Sequence, residues 1–532
     1  MTFRPVSRTI VSGLCLALLG ACQTIPEDSG KTDVELIVTG GTVFDGTGTA
    51  GRTADVVIDD GRILYIGADA RGTYRAESSI DARGLVVAPG FIDPHTHADE
   101  ELASDDPMDR ANLAFAFQGI TTVVVGNDGY GKPEIAAQAD ATRSGGVGTN
   151  VAYLAGFGPI REAALGKENR APSAAELAQM TALARSAMCE GAWGLSAGLY
   201  YVPQNYAATD EVVEIARVAG SMGGYFDTHM RDESTYNITV TGAVEETLDI
   251  GRRAQIAVHI SHIKALGPAV WGKSSEMIAL VEAARANGQR VTADQYPWAA
   301  SGTRISNALV PRWALEGGLG SLRKRLADPA EAARIRDGMI EGLARRGGAD
   351  KLLVTGILED APVTPGQTLA QAAEAMQLEP VDAAIAILRQ GDARVASFNM
   401  SASDIAAFAR QDWVVTGSDG STGHPRKYAS FPKAYRDLVV DGAMPLTRFI
   451  RRSSGASADL IGLPDRGYLT PGYAADLVVF DPAKFAPLAT YQEPTRYSAG
   501  VRHLIVNGKQ LIADGDYTGA LPGEPLLKDT SC

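Results

Sequence analysis

The chain has 532 residues, of which 45% are hydrophobic and 21% charged, an ordinary globular composition too long for one small core. One large domain with smaller appendages is the natural division at this length. A formal net charge of −14 leaves no basic footprint for nucleic acid or anionic lipid, so neither is expected as a partner.

The opening "MTFRPVSRTIVSGLCLALLGAC" carries Arg4 and Arg8, an apolar run from Ile10 to Leu19, and then small residues. This is the pattern of an export signal, and the run is too short to span a bilayer comfortably. Leu19-Gly20-Ala21-Cys22 looks like a bacterial lipobox. Residues 1–21 then form a lipoprotein signal peptide, and Cys22 is the lipidated first residue of the mature chain. Several acyl chains on one Cys anchor stably, so membrane contact through this anchor alone is expected. Gln23 in place of Asp favours the periplasmic side of the outer membrane. Residues 22–32 read as a polar tether. Cys189 and Cys532 are expected as thiols outside any disulfide framework.

From Val34 onward short strands alternate with glycine turns, as in "ELIVTGGTVFDG" and "ADVVIDDGRILYIG". The same texture returns in "ADLVVFDP" and "GVRHLIVNGKQLIADGDYTG". Residues 33–88 and 465–527 are therefore expected to form one β-sandwich domain around residues 89–464. In that middle region strand-like runs appear at "GFIDPHTH", "ITTVVVG", "NVAYLAG", "GAWGLSAG", "GGYFDTH", "QIAVHISH", "QRVTADQYP" and "DWVVTGSD". Helical patterns such as "SAAELAQMTALARSAM" and "SSEMIALVEAARANG" separate most of them. Eight strands alternating with helices predict an α/β fold, a (β/α)8 TIM-like barrel. A long insert, 301–410, separates strands seven and eight and has the size of a substrate lid. Nothing in the pattern fixes an oligomeric state.

The functional groups of such a barrel converge at the carboxyl ends of its strands. His95 and His97 end the first strand, His229 the fifth and His262 the sixth, while Asp419 ends the eighth. Four imidazoles and a carboxylate can surround a zinc-like divalent ion. His259 and His262 have odd spacing, so strand alternation turns only one of them toward the interior. Lys264 lies two residues beyond His262, in phase with it. His503 and His424 carry no such signal. After the second strand, "TTVVVGNDGYG" leaves Asp128 with two readings, a turn residue or a ligand.

The segments "PGFIDPHTH", "GAWGLSAGLYYVP", "THMRDES", "ISHIKALG", "ADQYPW", "GSDGSTGHPRKYASFPK" and "PGYAADLVVFDP" together resemble the N-acyl-D-amino-acid deacylase (D-aminoacylase) family of the amidohydrolase superfamily. The resemblance runs from about Val34 to Leu527. It implies a zinc site of one or two ions, with other divalent metals compatible, at His95, His97, Asp128, His229 and His262, with Asp419 beside the metal and its water. It also implies substrate contacts from Tyr201, Lys264, Tyr296 and Arg426. The family members most similar in motif carry Gly-Asn-Cys-Gly where this chain has "GNDG". A hard carboxylate thus replaces a soft thiolate, and it can bridge through two oxygens. The "DGSTGHPR" loop is also shorter than its family counterpart.

The implied reaction is hydrolysis of a linear amide in a small N-acyl amino acid or dipeptide-like substrate. Zinc makes water a nucleophile at neutral pH. Asp419 acts as the catalytic base and then the acid, and Tyr201 with the metal stabilises the oxyanion. Lys264 and Arg426 are cations for the substrate carboxylate. Two other readings stand beside this one. A cyclic-amide hydrolase of the hydantoinase or dihydroorotase kind would use a carboxylated lysine on a middle strand, and "GAWGLSAGLYY" offers none. A noncatalytic, lipid-anchored binding protein on the same barrel would have no need to retain Asp419 with the full ligand set.

Overall fold

A computed structural model describes residues 30–530 and 532; the export signal and Cys22 lie outside the described residues. Eight parallel strands form the barrel: Phe91–Asp93, Ile120–Val125, Asn150–Gly156, Gly194–Gly198, Tyr225–His229, Ala257–Ile260, Val291–Gln295 and Val414–Thr416. Each is hydrogen-bonded to the next in chain order. The run "ITTVVV" is buried throughout, as a strand covered on both faces must be. The first and eighth strands close the ring just beyond their ends: His97 N–H donates to the Gly420 carbonyl at 3.0 Å, and Asp419 N–H to the His95 carbonyl at 3.0 Å. Barrel closure and the ligand-bearing segment are therefore the same stretch of backbone.

The helical patterns give real helices. Ala174–Cys189 begins with a capping box in which Ser173 and Glu176 satisfy each other's backbone donors. Ser274–Ala286 packs between its neighbours Thr239–Ala254 and Ala402–Ala409.

The chain ends build one nine-stranded sheet. Its first strand, Thr32–Val43, pairs with Arg52–Asp59, Tyr74–Asp81 and Val86–Pro89, and the last of these pairs with Leu477–Phe480 from the far end of the chain. A register shift between Val38 and Gly41 bends that first strand, so the two halves of the expected sandwich share a continuous hydrogen-bond ladder.

Three expectations need correction. The segment 465–527 does not stay in the end sheet, because Pro525–Leu526 crosses over and pairs with the third barrel strand at Val151 and Ala152. That crossing carries the C-terminus to the end of helix Ala174–Cys189, where Cys189 and Cys532 form a disulfide instead of remaining thiols. The insert also ends before residue 410, since Ala402–Ala409 is a barrel helix packed on Ser274–Ala286. The insert proper is a three-stranded antiparallel sheet, Ala300–Arg304, Gly391–Phe398 and Leu352–Glu359, with five α-helices among the described residues. It has its own core around Ile305, Leu309, Leu352 and Ile387, and its first strand hangs over the barrel mouth.

Candidate metal centre

The GNDG turn is both a turn and a source of chemistry. Gly126, Asp128 and Gly129 have φ of 84°, 55° and 71°, the left-handed backbone that Asp and Gly accept most readily. Asn127 ties this loop to the first, its Nδ2 donating to the carbonyls of Thr96 at 3.1 Å and Val124 at 3.0 Å. Gln204 Nε2 donates to the Asp128 carbonyl at 3.0 Å, and a Cβ on Gly129 would collide with that same Gln204. With the backbone held, the Asp128 carboxylate points inward. Its Oδ1 lies 3.5 Å from His95 Nε2, 3.4 Å from His262 Nε2 and 3.7 Å from His229 Nδ1, and its Oδ2 lies 3.6 Å from His97 Nε2.

The remaining edges are similar. His229 Nδ1 is 3.1 Å from His262 Nε2, and Asp419 Oδ1 is 3.2 Å from His97 Nε2 and 3.9 Å from His95 Nε2. Tetrahedral ligands with bonds of about 2.0–2.1 Å stand roughly 3.3 Å apart, so these are the edges of coordination polyhedra. Three overlapping groups result: His95 with His262 and Asp419, His95 with His97 and Asp128, and Asp128 with His229 and His262. His95 Nε2 and Asp128 Oδ1, which face each other across the cluster, are both buried without hydrogen-bond partners. Such orphaned groups are costly unless an ion completes them. The nitrogen and carboxylate set fits zinc.

Electrostatics divide the four rings: against the cost of burial and the nearby Lys264, the Asp419, Asp128 and Glu233 carboxylates push His262 up to about 10, so it must shed a proton to ligate a metal. Burial pushes His95 down to about 3 and His229 down to about 4, keeping both neutral as ligands must be. Against the cost of burial, the Arg426 guanidinium and the His262 and His97 rings hold Asp419 well below the usual carboxylate range. Against the same cost, the imidazole rings that face it hold Asp128 well below the usual carboxylate range. His262 and Asp419, like Asp128, have positive φ, 37° and 48°, and backbone strain concentrates at sites where geometry is prescribed.

Arg426 ion-pairs with Asp419 Oδ2 at 2.6 Å and donates to Ser421 Oγ at 3.0 Å, so the short loop does bring it to the centre. Tyr201 packs its ring 4.7 Å from that of His229. Tyr296 is buried with its hydroxyl unpartnered, 5.0 Å beneath the Arg426 guanidinium. All of these line one cavity of about 780 Å³.

The profile of the Amidohydrolase family matches residues 79–309 and 322–512. This chain belongs to the amidohydrolase family. It is similar to the D-aminoacylase of Alcaligenes xylosoxydans xylosoxydans, 33% identical over 94% of this chain and 99% of that one. Its fold superposes with a TM-score of 0.79 on the N-acyl-D-glutamate deacylase of Bordetella bronchiseptica, solved with zinc and a phosphonate inhibitor that mimics the tetrahedral intermediate. That structure is 31% identical and covers 93% of this chain and 100% of its own. The L-hydantoinase of Arthrobacter aurescens is alike in fold alone, at a TM-score of 0.56 and 17% identity over 93% of this chain and 100% of that one.

Two features of this amidohydrolase depart from the sequence reading. Lys264 lines the cavity but already has partners of its own: its Nζ is 2.5 Å from Glu233 Oε1 and 2.7 Å from His262 Nδ1. Glu233, which the sequence reading did not single out, also stands 3.3 Å from His262 Nδ1 and 3.6 Å from His229 Nε2. It is the carboxylate that orients two ligand rings from behind. Its spacing of four residues from His229 carries no signal by itself, because residues 230–233 form a loop beyond the strand, and the adjacent residues serve other ends. Arg231 pairs with Glu246, and Asp232 accepts three backbone N–H groups of its own loop. Glu233→Gln is expected to weaken zinc affinity roughly 10- to 100-fold, measured by competition with a zinc-chelating dye; wild-type affinity would contradict this role.

Strand alternation does not separate His259 from His262 as expected. The sixth strand ends at Ile260, and the left-handed backbone at His262 breaks the period. His259 bonds Asp294 Oδ1 at 3.1 Å, the same oxygen that accepts the His262 N–H at 2.8 Å, and it belongs to none of the ligand groups. His424 holds the insert, its Nε2 meeting the Ala300 carbonyl at 3.1 Å, and His503 sits in the end sheet against Gln510.

Proposed function

We propose that this amidohydrolase removes the acyl group from N-acyl-D-amino acids in a zinc-dependent hydrolysis. The observation that carries the reading is the ligand cluster of His95, His97, Asp128, His229 and His262, with His95 Nε2 and Asp128 Oδ1 left unpartnered, at the floor of a cavity that also presents Asp419, Arg426 and Tyr296. Zinc held there supplies Lewis acidity toward the scissile carbonyl and toward water at neutral pH. Asp419, held ionised by Arg426, takes the proton of the attacking water and returns it to the leaving nitrogen. Tyr201, packed against His229, is a hydroxyl donor for the oxyanion. Tyr296 and Arg426 orient the amino-acid carboxylate, and Lys264 acts through Glu233 on the ligand rings. The absence of lysine in strand Gly194–Gly198 weighs against a cyclic-amide hydrolase of the carboxylated-lysine type. A panel of N-acetyl-D- and L-amino acids, dipeptides and cyclic amides tests the reading. Turnover of the N-acetyl-D-amino acids is expected, and turnover of only the cyclic amides would contradict it.

The side-chain preference we assign is acidic. Arg304 and Arg394 are cross-strand neighbours in the insert sheet and both line the cavity. Among the described residues neither makes an ion pair with a carboxylate, although Glu100 and Glu101 lie near enough to Arg394 to offset part of its pKa shift. Burial and the charge of Arg304 hold Arg394 below the usual arginine range, so an anion between them relieves mutual repulsion. The Bordetella relative acts on an N-acyl-D-glutamate. Alanine at either position is expected to lower the preference for N-acetyl-D-glutamate over N-acetyl-D-leucine roughly 10- to 100-fold in kcat/KM. An unaltered ratio would rule the arginine pair out.

For location, the lipobox ending at Cys22 supports an exported lipoprotein on the periplasmic side of the outer membrane. The Cys189–Cys532 disulfide is consistent with an oxidising compartment.

A further inference from the structure

The third barrel strand, Asn150–Gly156, outruns one of its neighbours at the amino end. It pairs with the second strand from Asn150 onward, but the fourth strand, Gly194–Gly198, joins it only from Leu154. Val151 and Ala152 would be left with an open edge at the amino end of the barrel, opposite the strand ends that carry the ligands, and an open edge invites a further strand. The C-terminus of the same chain supplies it. Pro525 and Leu526 pair in parallel with Val151 and Ala152, and the Val151 N–H donates to the Glu524 carbonyl at 2.9 Å. Before this strand the Gly523 N–H donates to the Val147 carbonyl at 2.8 Å, and after it the Lys528 N–H donates to the Gly191 carbonyl at 2.9 Å. Trp193, just ahead of the fourth strand, donates its indole N–H to the Leu526 carbonyl at 2.8 Å, and its ring centroid lies 5.4 Å from Lys528 Nζ. The approach is close, since a Cβ on Gly523 would strike the Thr149 backbone and one on Gly191 would strike Leu527.

This strap is a chain end held by a short ladder and by the partly buried Leu526 and Leu527. Such ends fray at low cost, because few buried contacts have to break. Cys532 alters that balance. Its bond to Cys189, the last residue of helix Ala174–Cys189, ties the free end to the barrel wall. Both cysteines are exposed, so a thiol in solution reaches the bond. We propose that the Cys189–Cys532 bond is a redox latch on the strap: oxidised, it keeps the C-terminal strand in the barrel; reduced, the strap opens locally while the metal centre stays assembled at the other end. Opening takes two electrons and two protons from a dithiol. One thiolate of the dithiol attacks one sulfur of the bond, its second thiol resolves the mixed disulfide, and the dithiol leaves as its own disulfide, with Cys189 and Cys532 released as thiols. The latch ties the durability of the enzyme to the redox poise of its surroundings and leaves its chemistry alone. It stands independently of the deacylase reading, because no residue of the strap lines the cavity at the ligand cluster.

The test is amide hydrogen exchange on the zinc-loaded full chain in three forms: oxidised, reduced with a dithiol that is then removed under argon and zinc restored, and Cys532→Ser. In the reduced form and the variant, exchange in peptides spanning 147–152, 189–193 and 521–530 is expected to rise at least about 10-fold. Peptides carrying His95, Asp128, His262 and Asp419 are expected to exchange as in the oxidised form, with zinc content unchanged. Cys189→Ser breaks the same bond from the barrel side and is expected to give the same pattern. Unchanged exchange in the strap overturns the proposal, because the strand then holds without the bond. Faster exchange throughout the barrel with loss of zinc overturns it too, because the bond then supports the whole fold. So do two free thiols in the air-oxidised protein, which would mean that the latch never closes.

Discussion

Replacing Asp419 by Asn is expected to lower kcat by roughly 10²- to 10⁴-fold while the purified protein keeps its zinc. The amide keeps the shape and one oxygen near His95 and His97 but cannot take a proton. In the native site Arg426 at 2.6 Å and His97 at 3.2 Å flank the two carboxylate oxygens. They hold Asp419 ionised and ready to act as a base. The four histidines and Asp128 still surround the ion in the variant. The measurement pairs steady-state rates with metal analysis of the same preparation. If zinc content falls in step with activity, Asp419 holds the metal and the base must be sought elsewhere.

Replacing Asp128 by Asn is the second large effect. Asn accepts the left-handed backbone almost as readily as Asp, so the GNDG turn survives and only the charge is lost. Asp128 faces His95, His229 and His262 with one oxygen and His97 with the other, and two of the three ligand groups contain it. Zinc content is expected to fall by more than the 10- to 100-fold loss in affinity usual for an outer partner, with activity falling alongside. A silent Asp128→Asn would return this residue to turn chemistry. Asp128→Cys offers a soft ligand and is expected to recover zinc in preference to manganese or magnesium.

The barrel was legible because its signals are local. Most of the eight strands lie in short, apolar-rich stretches, and each ligand histidine stands at or just past a strand end. Asp128 was ambiguous in sequence because the same residue satisfies two requirements, a positive φ and a metal-facing carboxylate. Glu233 was not legible: a glutamate four residues after a histidine is unremarkable until the fifth and sixth strands lie side by side and bring His229 and His262 together. Lys264 was read from its phase with His262. Phase gives the direction of a side chain and not its partner, and the nearest partner is Glu233. The Cys189–Cys532 bond joins residues 343 apart and depends on a C-terminal strand crossing to the barrel, which composition alone does not reveal. The alternation argument for His259 failed at one backbone angle, because a strand period holds only as far as the strand.

The most direct measurement is hydrolysis of N-acetyl-D-glutamate by the chelator-stripped protein before and after stoichiometric zinc. The predicted result is no turnover in the stripped protein and turnover restored by zinc. The same rate with and without metal would contradict the account at its centre.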